Sequence, residues 1–381
     1  MLQKKNIYYW SPFLTEIATS KAVINSAYSL IKYSKNCNPF IINAIGEFNK
    51  KKEEIIKRQI NFINLTNCNI INFLPKFGKI YSRLSFFFIF LFCFFPLKKL
   101  LHKSKPDYLI IHLITSLPLV LFFFFSFNTK CILRISGYPK INFIRKFFWK
   151  ILFKRIHLIS CPSQSTYDYI KKLDICDKEK LVILYDPILI VQDTIRQKRE
   201  NINYQEKQYF LSIGRLTKQK NFNSLITSFS ENSKILIKNK LLIIGSGEEL
   251  VSINKKIKFY NISKEIHILQ YQNNIFPYLY KAKCFLLPSL WEDPGFVLIE
   301  AAFCRVFIIS SNFEGAFKEF FASSPIGVVY DLNLKNDIIS KIIFFESLTE
   351  KEKNIFKKNA LILSKKFTIF SHYQKIKNIL V

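Results

Sequence analysis

Short apolar runs recur along the whole chain and alternate with longer stretches in which apolar residues return every third or fourth position. In the second half the runs are Tyr209–Gly214, Leu241–Gly245, Ile266–Leu269, Cys284–Pro288, Val306–Ser310 and Val328–Tyr330. Continuous apolar runs of this length suit strands buried on both faces, and their alternation with helical periods predicts a parallel sheet covered by helices on both sides. The first half repeats the theme, with strands expected at Ile7–Trp10, Phe40–Ala44, Tyr108–His112, Cys131–Ile135, Leu158–Cys161 and Leu181–Leu184. Helices are expected over Ile17–Tyr33 and Ser165–Leu173. Residues 190–208 are polar and charged without an apolar period and read as a linker. The pattern therefore predicts an α/β protein of two doubly wound, Rossmann-like domains, 1–189 and 209–366, facing a central cleft. A final helix is expected over Phe367–Leu380.

Two very apolar segments interrupt this picture. Leu84–Leu97 carries Phe86, Phe87, Phe88, Phe90, Phe92, Phe94 and Phe95. As a helix those 14 residues reach about 21 Å, short of the ~30 Å hydrocarbon core of a bilayer. Leu109–Phe127 has the length of a span, but His112, Thr115, Ser116 and Pro118 break it, and it reads better as a strand, a loop at Leu113–Ser116 and a buried helix from Leu117. Pro139–Ile156 interleaves Lys140, Arg145, Lys146, Lys150, Lys154 and Arg155 with Phe143, Phe147, Trp149 and Phe153. Such a basic, aromatic helix suits either the headgroup plane of an anionic membrane or the outside of the first domain.

The formal charge of +30 over 381 residues raises nucleic acid as a partner. Only nine of the 57 basic residues are Arg, the residue preferred for bidentate base and phosphate contacts, and they are not clustered. Nucleic acid is therefore set aside, and attraction to anionic membrane surfaces remains. The eight cysteines form no C-x-x-C pair and read as free, buried thiols of a reducing compartment. The opening Tyr8-Tyr9-Trp10-Ser11-Pro12 lacks the long apolar core of a cleavable signal.

Chemistry concentrates in the second half. Trp291-Glu292-Asp293-Pro294-Gly295-Phe296-Val297-Leu298-Ile299-Glu300 follows the apolar run ending in Pro288-Ser289 and sets two carboxylates eight positions apart across a turn and a helix start. Loops at the carboxyl ends of parallel strands are where open α/β sheets bind ligands, and helix N-termini suit anions. Upstream stand Gly214-Arg215-Leu216-Thr217-Lys218-Gln219-Lys220-Asn221 and Leu242-Ile243-Ile244-Gly245-Ser246-Gly247. No D-x-D loop and no His/Asp cluster with metal-ligand spacing is present.

These elements, in this order from about residue 207 to 330, resemble those of family 4 retaining glycosyltransferases of the GT-B fold. The 292–300 stretch resembles the family's E-x7-E element, 214–221 its G-R-L-x-x-Q-K-[GN] signature, and 242–247 and 285–289 its hhGxG and hhxPS strand ends. The resemblance implies a nucleoside-diphosphate sugar donor, no cofactor and no metal. It assigns Arg215 and Lys220 to the donor diphosphate, Glu300 to the ribose hydroxyls and Glu292 to the transferred sugar as the catalytic residue. Asp293, Gly295 and Phe296 would flank the sugar and phosphate, with E-D-P-G-F standing where many relatives have E-G-F-G. Gln270 and Tyr271 stand in the expected nucleobase loop, without the glycine usual there.

In the first domain the resemblance is weaker. Its candidate cleft residues are Thr15, His112, Ser136 and Gly137, with Ser136 where many relatives have His. The implied acceptor is a glycan or lipid-linked saccharide in surface polysaccharide or lipopolysaccharide assembly, with the enzyme peripheral at the cytoplasmic face of the membrane. The last helix is expected to return to the first domain, as is common in GT-B enzymes. Two other readings fit the same residues: a nucleotide-sugar epimerase of this fold, or a non-catalytic membrane-associated binding protein.

Overall fold

The computed structural model describes residues 4–14, 18–66, 69–75, 79–135, 137–139, 141–202, 204–206, 208–232, 239–322 and 324–380. The chain forms two compact units, one from the residues before Leu189 together with those from Ile369 onward, the other Leu189–Thr368.

The first unit is a seven-stranded sheet of β1 (Lys5–Trp10), β2 (Cys37–Asn43), β3 (Asn61–Asn64), β4 (Tyr108–Ile111), β5 (Lys130–Arg134), β6 (Leu158–Cys161) and β7 (Leu181–Ile183). The order is β3-β2-β1-β4-β5-β6-β7 and every pairing is parallel. Its helices are α1 (Ala18–Tyr33), α2 (Lys52–Lys57), α3 (Lys79–Ser104), α4 (Ser116–Phe124), α5 (Phe143–Leu152) and α6 (Gln164–Leu173). Strand alternation splits the core in two. Tyr8, Trp10, Leu109 and Ile111 pack against α3 and α4 on one face. Ile7, Tyr9, Tyr108 and Ile110 pack against Val23, Ile24 and Ala27 of α1 on the other.

The last helix, Ile369–Ile379, packs on α1 in this unit. Ile376 joins the α1 side of the core, and Lys5 Nζ donates to the Leu380 carbonyl at 2.7 Å. A buried relay holds it further in. Ser26 Oγ lies 2.8 Å from His372 Nε2 and 3.0 Å from the Tyr9 hydroxyl, and His372 Nδ1 lies 2.8 Å from the Tyr185 carbonyl oxygen.

The second unit contains β8 (Tyr209–Ile213), β9 (Lys240–Ile244), β10 (Ile266–Leu269), β11 (Cys284–Leu287), the short β12 (Trp291–Glu292), β13 (Phe307–Ser311), the short β14 (Glu314–Gly315) and β15 (Val328–Tyr330). Six strands form a parallel sheet in the order β10-β9-β8-β11-β13-β15, and β12 pairs with β14. Its helices are α7 (Val191–Gln197), α8 (Phe222–Glu231), α9 (Leu250–Phe259), α10 (Phe276–Lys281), α11 (Phe296–Cys304), α12 (Phe317–Phe321), α13 (Asp337–Ser347) and α14 (Glu350–Ser364). Phe210, Phe285 and Phe307 are fully buried on adjacent strands, each worth about 1.5–3 kcal/mol of burial. In both units the order reverses beside the first strand, so the switch points lie between β1 and β4 and between β8 and β11.

Three local readings need correction. The stretch 190–208 is not a featureless linker: it opens with α7, whose Thr194 is buried, and belongs to the second unit. Leu189 also bridges to Thr368, so the two crossing segments pair with each other. β3 escaped the pattern because N-F-I-N is a short edge strand, only half-buried, without a continuous apolar run. The Phe-rich helix is longer than its Phe run. α3 spans 26 residues and passes through Pro96, with Cys93 and Leu97 fully buried on either side of it.

Candidate active site

β8 ends at Ile213 and the chain turns at Gly214 into a single 3₁₀ turn, Lys218–Lys220, before α8. β9 ends beside it at Gly245, where a Cβ would stand 1.9 Å from the Gly214 carbonyl oxygen. Only glycine lets these two strand ends approach so closely. Leu216 N donates to the Ser246 carbonyl at 3.0 Å, and Glu249 N donates to the Leu216 carbonyl at 2.9 Å, so the loops after β8 and β9 form one surface.

Across the switch point, the loop after β11 is fastened to the loop after β8 by three contacts. Leu290 N donates to the Gln219 carbonyl at 2.8 Å, Gln219 Nε2 donates to the Trp291 carbonyl at 2.8 Å, and Lys220 Nζ reaches Glu292 Oε1 at 2.5 Å. The same Oε1 accepts a 2.6 Å hydrogen bond from Ser289 Oγ, whose own carbonyl accepts from Ser311 Oγ at 2.5 Å. Behind this loop β14 pairs with β12, and Ala316 N donates to the Glu292 carbonyl at 2.9 Å. Gly315, at φ +105°, lets that pairing form, because a Cβ there would stand 2.1 Å from the Glu292 carbonyl oxygen.

Glu292 is thus 4% exposed, and its Oε1 is held by both Lys220 and Ser289. The cap of α11 is Gly295 at φ +82°, without a side-chain capping bond. Phe296 begins α11, and Glu300 is its fifth residue, buried in the second turn. Asp293 lies in the turn between Glu292 and Gly295. Arg215 is exposed in the loop after β8, and its side chain makes no ion pair among the described residues. Thr217 Oγ1, buried in the same loop, has no hydrogen-bond partner among the described residues. Gln270 and the 70% exposed Tyr271 follow β10 at the same end of the sheet, and Tyr271 N donates to Ser246 Oγ at 3.3 Å. Arg215, Lys220, Glu292, Glu300, Gln270 and Tyr271 therefore all stand at the carboxyl edge of one sheet. Among the described residues no group of three or more His, Cys, Asp and Glu could hold a metal ion.

In the first unit, Thr15 and Ser136 lie outside the described residues. Gly137 follows β5 with φ +69°. His112 follows β4 at its switch point and is buried, its N–H donating to the Trp10 carbonyl at 2.9 Å. Its Nδ1 has no hydrogen-bond partner among the described residues. Burial, then the charges of Arg134 and His372, hold its imidazole well below its usual pKa and so neutral. Arg134 and Asp186 form a buried two-point ion pair, Nε to Oδ1 at 2.8 Å and a second arm to Oδ2, at the end of β5.

Ser289 and Gln219 stand in the matched signatures without an assigned role, and Ser311 and Gly315 stand in none. Ser289 was visible, three positions before Glu292 at a strand end, but a lone serine carries no signal of its partner. The others act through contacts between distant segments.

Two Rossmann-like units, each with its switch point at the first strand, and a last helix belonging to the first unit define the GT-B fold. Residues 193–361, within the second unit, match the family model described as glycosyl transferases group 1. Among curated proteins, the chain is 31% identical over 211 residues to the N-acetylgalactosamine-N,N'-diacetylbacillosaminyl-diphospho-undecaprenol 4-alpha-N-acetylgalactosaminyltransferase of Campylobacter jejuni, covering 53% of this chain and 54% of that protein. The chain spans about half the length of the curated relatives it matches. Two solved structures share the fold over nearly the whole chain. A glycosyltransferase from Rickettsia africae has TM-score 0.75 at 16% identity, covering 99% of this chain and 98% of that one. Alr3699/HepE from Anabaena, in complex with UDP, has TM-score 0.71 at 13% identity, covering 99% of each chain.

Proposed function

We propose that the protein is a metal-independent retaining glycosyltransferase that moves a hexose-type sugar from a nucleoside-diphosphate donor to a glycan or lipid-linked acceptor. Its setting is the assembly of cell-surface polysaccharide or lipopolysaccharide, at the cytoplasmic face of an anionic membrane. The observation that carries this reading is the Lys220–Glu292 pair at the β8/β11 switch point, with Arg215 exposed in the same loop. A diphosphate entering there would meet two cations, one of them already paired with the buried Glu292.

In the reaction the bond between the anomeric carbon and the β-phosphate oxygen breaks, and the acceptor oxygen bonds that carbon on the same face. The acceptor proton ends on the released nucleoside diphosphate or in solvent. Charge develops on the leaving phosphate, and Arg215 as a planar fork and Lys220 as a point charge stabilise it without reorganising. Glu292 faces the electron-poor anomeric centre, and Glu300 holds the ribose before and during reaction. The acceptor named for the Campylobacter relative is a diphospho-undecaprenol-linked saccharide, which favours a lipid-linked acceptor here.

A thermal-shift panel of UDP-, GDP-, ADP- and CMP-sugars, followed by transfer to lipid-linked saccharides, tests the proposal. A donor at 100 times its dissociation constant adds ~2.7 kcal/mol of stability. Stabilisation by one class, followed by acceptor-dependent release of nucleoside diphosphate, is the expected result. Isomerised or hydrolysed donor without acceptor would instead make the protein an epimerase, and binding without any turnover would make it a binding protein.

A further inference from the structure

We infer that α3 is an in-plane membrane anchor, one face held in the protein core and the other immersed in an anionic phospholipid bilayer. The region Arg83–Ser104 is long and apolar enough to cross a membrane, and little of it is buried in the protein. Its two faces differ sharply. Ser85, Ile89, Cys93, Leu97 and Leu101 recur every fourth residue and are at most 1% exposed. The four apolar ones belong to the same core cluster as Trp10, Leu109 and Ile111 of the central strands. Ser85 Oγ donates to the Pro75 carbonyl at 2.7 Å, and Cys93 Sγ lies 3.8 Å from the Ala44 carbonyl oxygen. A crossing helix would have to leave all of these contacts, so the first unit would open. The opposite face carries Leu84, Phe87, Phe88, Leu91 and Phe95, from 41% to 73% exposed. A helix fixed along one face and apolar along the other lies in the interface plane.

Neighbouring helices extend the same surface. α3 packs on α4 and α4 on α5, on the same face of the sheet. α5 buries none of its residues, and Phe143, Ile144, Phe147 and Phe148 are 56–86% exposed. Charge selects the occupant. From Ile55 to Tyr167 the single acidic residue is Asp107, whereas α3 and α5 alone carry Lys79, Arg83, Lys98, Lys99, Lys103, Arg145, Lys146 and Lys150. A second copy of so basic a face would be repelled, whereas anionic headgroups would gather around the cations and apolar side chains enter between them. The inference rests on the membrane setting of the proposed function but not on its chemistry, so docking and donor binding are measured separately.

The test uses the full chain with vesicles of phosphatidylcholine alone and of phosphatidylcholine mixed with phosphatidylglycerol. Flotation should recover the protein on the mixed vesicles with about tenfold or greater preference. Phe87→Asp with Leu91→Asp should abolish most of that binding and leave the melting temperature unchanged, because both side chains are exposed. A Phe88→Trp reporter should be quenched by lipids brominated near the headgroup end of the chain. Nucleotide binding should be the same in all these proteins, so its loss or absence speaks to the second unit alone. Equal flotation of wild type and double variant would overturn the inference. So would quenching centred at the bilayer midplane, which marks a spanning helix, or a lipid-free dimer that the double variant dissolves.

Discussion

Lys220 Nζ stands 2.5 Å from Glu292 Oε1, joining the loop after β8 to the loop after β11 across the switch point of the second sheet. The two residues belong to separate sequence motifs 72 positions apart. Their contact makes one site of them. Without donor, the carboxylate neutralises the lysine and Ser289 shares the same oxygen. If a donor diphosphate binds as proposed, it would compete for the lysine, which would couple donor binding to the state of Glu292.

That coupling separates the two carboxylates. Glu300→Gln should chiefly weaken binding of the bare nucleoside diphosphate, since its proposed ribose contact exists in ground and transition states alike. Glu292→Gln should chiefly lower turnover. Calorimetric nucleotide binding beside kcat decides the matter, and nucleotide affinity lost in Glu292→Gln but kept in Glu300→Gln would reverse the roles.

Ser289 fixes where the Glu292 carboxylate points. Ser289→Ala removes one hydrogen bond, worth about 1 kcal/mol, and should lower kcat several-fold with little change in KM for the donor. Ser289→Thr should recover part of the loss. Equal loss in both variants, with unchanged kcat-to-KM balance, would make the serine merely structural.

Acid should loosen the first unit. Burial drives the His372 pKa down to about 4 from its ordinary value of 6.5, although the Tyr185 carbonyl and Asp186 oppose the shift. Arg134 and Lys375 lower it further, and His112 is shifted in the same direction. The folded state therefore prefers the neutral ring. Its contribution is complete above pH 6.5 and is lost as pH falls from 6.5 towards 4, up to about 3 kcal/mol. Melting temperature should drop across that window, and His372→Gln should flatten the slope. A slope unchanged in the variant would remove His372 from the account.

With Arg215 and Lys220 supplying positive charge at the diphosphate, transfer should persist in excess chelator. Activity abolished by chelator and restored by Mg²⁺ or Mn²⁺ would contradict that assignment. High salt should release part of the membrane-bound protein, because each Lys or Arg near an anionic surface contributes ~1 kcal/mol that ions screen.

Much of the fold was legible because parallel strands buried on both faces write themselves as continuous apolar runs, from Ile7–Trp10 to Val328–Tyr330. The edge strand β3 and helix α7 were hidden for the opposite reason: each is short, half-exposed and at least half polar, so neither leaves a period. Arg215, Lys220, Glu292 and Glu300 were singled out by the motifs that carry the family resemblance. What spacing could not supply was their contacts. The Lys220–Glu292 pair, the Ser289 and Ser311 relay and the close passage of Gly315 past Glu292 all depend on how separate strand ends meet. The two faces of α3 were obscured because the Phe residues saturate the helix and cover its four-residue stripe.

The central claim is that the loop after β8 grips a donor diphosphate, and nucleoside-diphosphate affinity in Arg215→Ala and Lys220→Ala tests it most directly. Each lost charge-assisted contact is worth ~1.5–3 kcal/mol, so affinity should fall about tenfold or more in both variants. Arg215→Ala should keep the wild-type melting temperature, since the side chain is exposed and makes no ion pair among the described residues. Lys220→Ala should also lower stability, because it leaves the buried Glu292 carboxylate without its cation. Unchanged nucleotide affinity in both folded variants would contradict the account.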